Sequence, residues 1–216
     1  MIRLHHVSGS RSFRILWLLE ELSLDYEIRH WSLTDGSLRS GEFKALSPAG
    51  RVPALEIDGL TMFESGAMVQ YLSEREGKLA PPPGAPERAA FLSWIGFAET
   101  QANILQELNI QHIFLRPVEA RSPALMSLQA KRLAVTMKGL EAHLNQHDFL
   151  LPEFSAADCM LGFNIDAVFR YVRADAFPNL VAYRDRMRAR PAYQTAKAKE
   201  GADTIYTQDF YEVPGV

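Results

Sequence analysis

A chain of 216 residues with 47% hydrophobic content is long enough to bury a substantial core as one large or two small domains. Its formal net charge of -3 and isoelectric point near 6.1 provide no basic field for nucleic acid or an anionic membrane, and no apolar run approaches the roughly 18 residues of a spanning helix. Met1-Ile2-Arg3-Leu4-His5-His6 lacks the apolar core and cleavage site of a secretory signal, and the single cysteine, Cys159, cannot form an intrachain disulfide, which fits a reducing cytoplasm.

In chain order, Ile2 to Val7 reads as a strand bounded by the turn-forming Ser8-Gly9-Ser10. His5 and His6 are expected to point one inward and one outward from it, with no facial cluster to hold a metal. Phe13 to Leu22, a dense apolar run without proline or glycine, suits a buried helix, and Tyr26 to Trp31 suits a second strand. Strand, helix, strand implies a right-handed parallel unit. A weak helical patch covers Glu42 to Leu46. Ala54 to Ile57 and Leu60 to Phe63 flank Asp58-Gly59, which suits a type I′ hairpin turn, with Leu55, Ile57, Leu60 and Met62 facing a core. Ser65 is placed to cap a helix from Gly66 to Arg75. The order β-α-β-α-β-β-α is the thioredoxin-like topology.

Gly9-Ser10-Arg11-Ser12 stands where a dithiol motif would open the first helix, so protein-borne dithiol chemistry is excluded. A serine hydroxyl there could hold a bound thiol as thiolate, helped by the helix dipole and by Arg11. A free thiol titrates near 8.5, and one charge-assisted hydrogen bond is worth about one unit of lowering. Ser10 and Ser12 are both candidates, Ser12 also being a plausible helix cap.

The second focus is Gly50-Arg51-Val52-Pro53 with Glu64-Ser65-Gly66. Pro53 cannot donate to a ladder and belongs at a strand start or edge. If its bond to Val52 is cis, the Val52 N–H and C=O turn outward, where an extended peptide could add as a strand. Ser65 and the first amides of the following helix form an anion site, and the Glu64 carboxylate could pair with an ammonium. A short peptide with an α-amino-carboxylate end matches all three features; the plainer alternative is a capped helix with no ligand. Arg39, Lys44 and Arg51 are the nearest cations for a second carboxylate.

Lys78 to Pro86 is a stiff, proline-rich connector. Beyond it the pattern is helical: Phe91, Leu92, Ile95, Ala98, Leu105 and Leu108 on one segment, then Leu125, Leu128, Leu133, Met137, Leu140 and Leu144 on a second, together an antiparallel pair. Ser155 and Asp158 have capping-box spacing before the run that holds Cys159, itself expected to be a small buried hydrophobe. Phe177-Pro178-Asn179-Leu180 opens a further helix and Arg190-Pro191-Ala192 ends it. Trp94, Phe97, Ile113, Phe114 and Phe169 are candidates for an apolar pocket or for core.

The Val-Pro and Glu-Ser pairs, together with Ser10-Arg11-Ser12-Phe13-Arg14-Ile15-Leu16-Trp17, resemble the glutathione S-transferase family, specifically its serine-type bacterial and fungal members. The resemblance implies α/β plus all-α architecture: residues 1–78 a thioredoxin-like glutathione-binding domain, 79–86 the linker, 87–216 an all-helical domain supplying the electrophile pocket. It implies that Val52 pairs with the cysteinyl backbone, that Pro53 is cis, that Glu64 and Ser65 hold the γ-glutamyl end, and that Arg51 and Arg39 serve the glycine carboxylate. Ser10, ahead of Ser12 and with Arg11 beside it, would contact the sulfur. The expected activity is conjugation of glutathione, as co-substrate and without a metal, to a small electrophile by a cytoplasmic homodimer. A glutathione-dependent disulfide reductase or peroxidase and a non-catalytic stress-response module are the rivals.

Overall fold

The computed structural model describes residues 1–203 and 205–213; the last residues of the expected helical domain, 214–216, lie outside them. The chain divides into two units, Met1–Ala85 with Arg188–Ile205, and Pro86–Met187 with Tyr206–Val216. The helical half therefore does not run uninterrupted from residue 87 to the end.

In the first unit, β1 (Ile2–His6), β2 (Tyr26–His30), β3 (Ala54–Ile57) and β4 (Leu60–Phe63) form a sheet in the order β2-β1-β3-β4. β1 pairs parallel with β2 and antiparallel with β3, and β3 and β4 close a hairpin. Asp58 and Gly59 both take positive φ, at 50° and 82°, as a type I′ turn requires. Leu55 and Ile57 are buried, but Leu60 is half exposed, because β4 is an edge strand with only one neighbour to pack it. α1 (Phe13–Glu21) is buried along seven consecutive residues, Phe13 to Leu19, so it is a core helix rather than an amphipathic surface one. α2 (Gly41–Leu46) carries Phe43 into a cluster with Val7, Leu38 and Ala54, onto which Trp31, Leu46 and Val52 pack. Cover on both sheet faces explains why His5 and His6 are both buried, contrary to the one-in, one-out expectation.

α3 (Ser65–Glu76) begins one residue earlier than expected and has Glu64 at its cap position. The Ser65 side chain does not cap it.

A helix unforeseen in the sequence, α8 (Pro191–Glu200), belongs to this unit as well. Arg190 closes on Glu21 of α1 through two hydrogen bonds of 2.6 and 2.8 Å, and Tyr193 stacks edge-on against Trp17 and Phe13 at 5.0 and 5.3 Å.

In the second unit, α4 (Arg88–Asn109) runs into a π-helical turn at Ile110–Phe114, and α5 (Pro123–Leu144), α6 (Ala156–Val168) and α7 (Pro178–Arg188) follow. The heptad-like positions are buried as expected except Leu125, which is partly buried, and Leu92 and Leu128, which are exposed. Trp94, Phe97, Ile113 and Phe169 are partly buried and Phe114 is exposed. Cys159 is fully buried. The capping box forms: Asp158 accepts from the Ser155 N–H at 2.8 Å and hydroxyl at 3.1 Å, and also from the Leu150 N–H and the Tyr183 hydroxyl. Burial pushes this carboxyl up to about 6, and the four donors oppose that shift. No helix among the described residues is long and apolar enough to cross a membrane.

Candidate functional site

Three backbone segments converge because of the sheet registers. His5 pairs with Ala54 and Ala54 with Phe63, so that, run on past the strand ends, the same registers bring Val7, Val52 and Ser65 to one end of the sheet. The turn that follows Val7 leads directly into α1, so the first residues of α1 and of α3 are aimed at the same place. The Val52-Pro53 bond is cis. Val52 buries its side chain in the cluster under the sheet end, and neither its N–H nor its C=O is hydrogen-bonded among the described residues.

Glu64 is exposed and takes φ 72° and ψ 111°, a conformation that costs a non-glycine residue about 1–3 kcal/mol. The neighbouring Ser65 is 3% exposed, and its Oγ accepts a 2.9 Å hydrogen bond from Arg14 Nη1. Arg14 is fully buried. Its guanidinium thus lies behind the first turn of α3, adding a fixed positive charge to the partial charge of the helix start. Nothing in the sequence pattern marks Arg14, which sits inside an apolar run and reads as the polar face of a helix.

At the other turn, Ser10 is partly exposed and Ser12 is fully buried. Ser12 makes no capping bond to α1. Its Oγ lies 2.7 Å from Ser10 Oγ and 2.7 Å from His6 Nδ1, and it also meets the Val7 N–H and C=O, each at 3.2 Å. The Ser12 N–H donates to Ser10 Oγ at 3.2 Å. The His6 imidazole is lowered to about 4, by burial first and then by the charges of His30 and Lys197. It is neutral throughout the ordinary working range.

The loop itself is held from α8. Gly9 donates to the buried Glu200 carboxylate at 2.8 Å, Lys197 neutralises that carboxylate at 2.5 Å, and the Ser8 hydroxyl donates to the Gly201 carbonyl at 3.2 Å. Gly9 has φ 76°, and a Cβ on it would meet Asp203 Oδ1 at 2.5 Å, so any other residue there is strained and must displace the Asp203 carboxylate.

Arg11 is partly buried beside Ser10, Arg51 is exposed immediately before Val52, and Arg39 is exposed at the end of a short 3-10 turn, Ser37–Arg39. Lys44 lies exposed on α2. Among the described residues no group of three or more histidine, cysteine or acidic side chains is arranged to hold a metal.

Residues 1–74 match the family described as Glutathione S-transferase, N-terminal domain. Over nearly its whole length the chain is similar to Glutathione S-transferase 3 of Schizosaccharomyces pombe, at 29% identity covering 95% of this chain and 90% of that one. It is also similar to the disulfide-bond oxidoreductase YfcG of Escherichia coli, at 36% identity over 44% of this chain and 47% of the relative. Among solved structures, the glutathione transferase URE2P8 of Phanerochaete chrysosporium, crystallised with oxidized glutathione, superposes with a TM-score of 0.84 at 25% identity, covering 92% and 94% of the two chains.

Proposed function

The chain belongs to the glutathione S-transferase family, and from that premise we propose that it binds glutathione and conjugates the glutathione thiolate to a small hydrophobic electrophile. The observation that carries this is the convergence at one sheet end of an unpaired Val52 main chain, the α3 start at Glu64 and Ser65, and the outermost hydroxyl, Ser10. In this reading the cysteinyl backbone of an extended glutathione pairs with Val52. The Glu64 carboxylate meets the γ-glutamyl ammonium, and Ser65 with the α3 amides meets the γ-glutamyl carboxylate. Arg51, and secondarily Arg39, serve the glycine carboxylate.

Ser10 then donates to the sulfur as thiolate and is not itself a nucleophile. The thiol proton leaves to solvent, sulfur forms the new bond to the electrophilic carbon, and the leaving group departs with its electron pair. Catalysis comes mainly from keeping the thiol ionised and aligned. The proposal includes a homodimer and a cytoplasmic setting, which the single buried Cys159 suits.

Disulfide reduction by the bound thiolate is the second reading, favoured by the 36% identity with the disulfide-bond oxidoreductase. Titration of glutathione into the protein, followed by ultraviolet thiolate absorbance against pH and then by turnover of an aryl halide and of a disulfide, tests both. A lowered thiol pKa with aryl halide turnover supports conjugation, and turnover of the disulfide alone supports the rival. Binding with an unperturbed thiol leaves a non-catalytic glutathione-binding module. Ser10→Ala should raise the bound thiol pKa with little loss of affinity; an unchanged rate would move the role to Arg11, Ser12 or a backbone amide.

A further inference from the structure

Resting on that reading of Ser10, we propose that His6, acting through Ser12, sets the direction of the Ser10 hydroxyl proton and is therefore a positioning residue for the thiolate. It follows from a count of protons along Ser10 Oγ, Ser12 Oγ and His6 Nδ1, whose two links are each 2.7 Å.

A neutral imidazole carries one proton. His6 Nε2 is buried and makes no hydrogen bond among the described residues. The Glu200 main chain acts on the ring as a backbone hydrogen-bond partner and raises its basicity, but no acceptor among the described residues lies within hydrogen-bond geometry of Nε2, whereas Ser12 Oγ lies 2.7 Å from Nδ1. The proton is therefore better placed on Nδ1, where Ser12 Oγ accepts it. Ser12 Oγ already accepts the Val7 N–H at 3.2 Å, so both its lone pairs are engaged and its single proton must be donated. Ser10 Oγ, at 2.7 Å, is a better acceptor by distance than the Val7 carbonyl at 3.2 Å. Ser10 Oγ then accepts from both the Ser12 hydroxyl and the Ser12 N–H. Its own proton has no inward acceptor left and points out of the loop, towards the sulfur.

The opposite tautomer reverses every link. With Nδ1 bare, Ser12 donates to the ring, Ser10 donates to Ser12, and Ser10 presents only a lone pair outward, which repels a thiolate. The same groups could instead form a relay that carries the thiol proton to His6. An imidazole held near pKa 4 is too weak a base to keep that proton, so orientation is the role that remains.

Four measurements on the full chain with bound glutathione test this. Nitrogen NMR of labelled imidazole should show His6 as the Nδ1–H tautomer. Ser12→Ala and His6→Leu should each raise the bound thiol pKa by about one unit, the worth of one charge-assisted hydrogen bond, while glutathione affinity changes little. His6→Asn, which retains a donor at the Nδ1 position, should restore part of the lowering. In a Ser10→Ala background, His6→Leu should add nothing further. A purely structural His6 would add its full effect there, and that additivity overturns the inference, as does an Nε2–H tautomer. Should His6→Leu not fold, the tautomer of the native protein and the Ser12→Ala pKa decide the matter alone. A parent protein that binds glutathione without lowering its thiol pKa overturns the site reading and this inference together, whereas a parent that lowers it while Ser12→Ala does not raise it overturns the inference only.

Discussion

Arg14 Nη1 donates a 2.9 Å hydrogen bond to Ser65 Oγ, tying the first turn of α1 to the first turn of α3 beneath the sheet end. Because guanidinium is only a donor, it makes Ser65 Oγ an acceptor on that side, and the serine proton must be given to another group. Arg14→Met keeps the apolar stem and most of the volume but deletes the donor and the charge. We expect glutathione affinity to fall by about tenfold, the worth of about 1.4 kcal/mol, with the bound thiol pKa unchanged. Arg14→Lys should not restore it, since a point charge cannot reproduce the planar fork. Calorimetric titration checks this; equal affinity for parent and Arg14→Met would confine Arg14 to a packing role.

Glu64 sits at φ 72° in a conformation that glycine adopts freely and a glutamate only at a cost. Glu64→Gly should therefore raise unfolding stability by about 1 kcal/mol, net of the backbone entropy glycine adds, and weaken glutathione binding through loss of the carboxylate. Glu64→Ala should weaken binding equally and leave the strain in place. Denaturant midpoints of the two variants separate the effects: if Glu64→Gly is no more stable than Glu64→Ala, the strain is not real.

Periodicity made most of this architecture legible. The hairpin about Asp58-Gly59, the dense run of α1 and the Ser155 and Asp158 box all depend on local chemistry within a few residues, and each is found. What escaped depends on contacts far apart in sequence. The motif Arg190-Pro191 reads as a helix end, but proline at the first position equally begins one, and long-range contacts such as the Arg190 pair with Glu21, 169 residues away, place α8 in the first unit. Ser12 and Ser65 have the composition of caps, yet each turns its hydroxyl to a buried partner, His6 and Arg14, that no short-range rule connects to it. Val52, Pro53, Glu64 and Ser65 were readable as a group because the hairpin between them is itself short.

Asp158 accepts two backbone N–H groups and two hydroxyls in a fully buried position. Asp158→Ala leaves all four donors without that acceptor and removes the α6 cap, so we expect a loss of about 2–4 kcal/mol in the second unit. Tyr183→Phe removes only one of the four and should cost about 1 kcal/mol. Thermal or denaturant unfolding followed by Trp94 fluorescence, the second unit's own tryptophan, reads both. Equal losses for the two variants would show that the backbone donors contribute little.

His6 gives the first unit a pH dependence whose sign follows from its burial. Its folded pKa, about 4, lies below the ordinary 6.5 because burial, His30 and Lys197 disfavour the charged ring. The unfolded chain therefore takes up the proton first as pH falls. The stabilisation is fully present above about 6.5, declines below it, and is lost by about pH 4, in total about 3 kcal/mol at roughly 1.4 kcal/mol per unit. Asp158 runs the other way, since its folded pKa of about 6 lies above the unfolded value of 3.8, so its protonated form stabilises the native state below that and the advantage disappears as pH rises through 6. Comparing the parent with His6→Leu cancels Asp158, which both retain. Their stability difference, followed by Trp17 and Trp31 in the first unit, should shrink as pH falls from about 7 to about 4, because only the parent loses the histidine contribution. A difference that stays constant across this range would mean that His6 is protonated in the native state at the same pH as in the unfolded chain, and the neutral imidazole required beside Ser12 would not hold at the lower end.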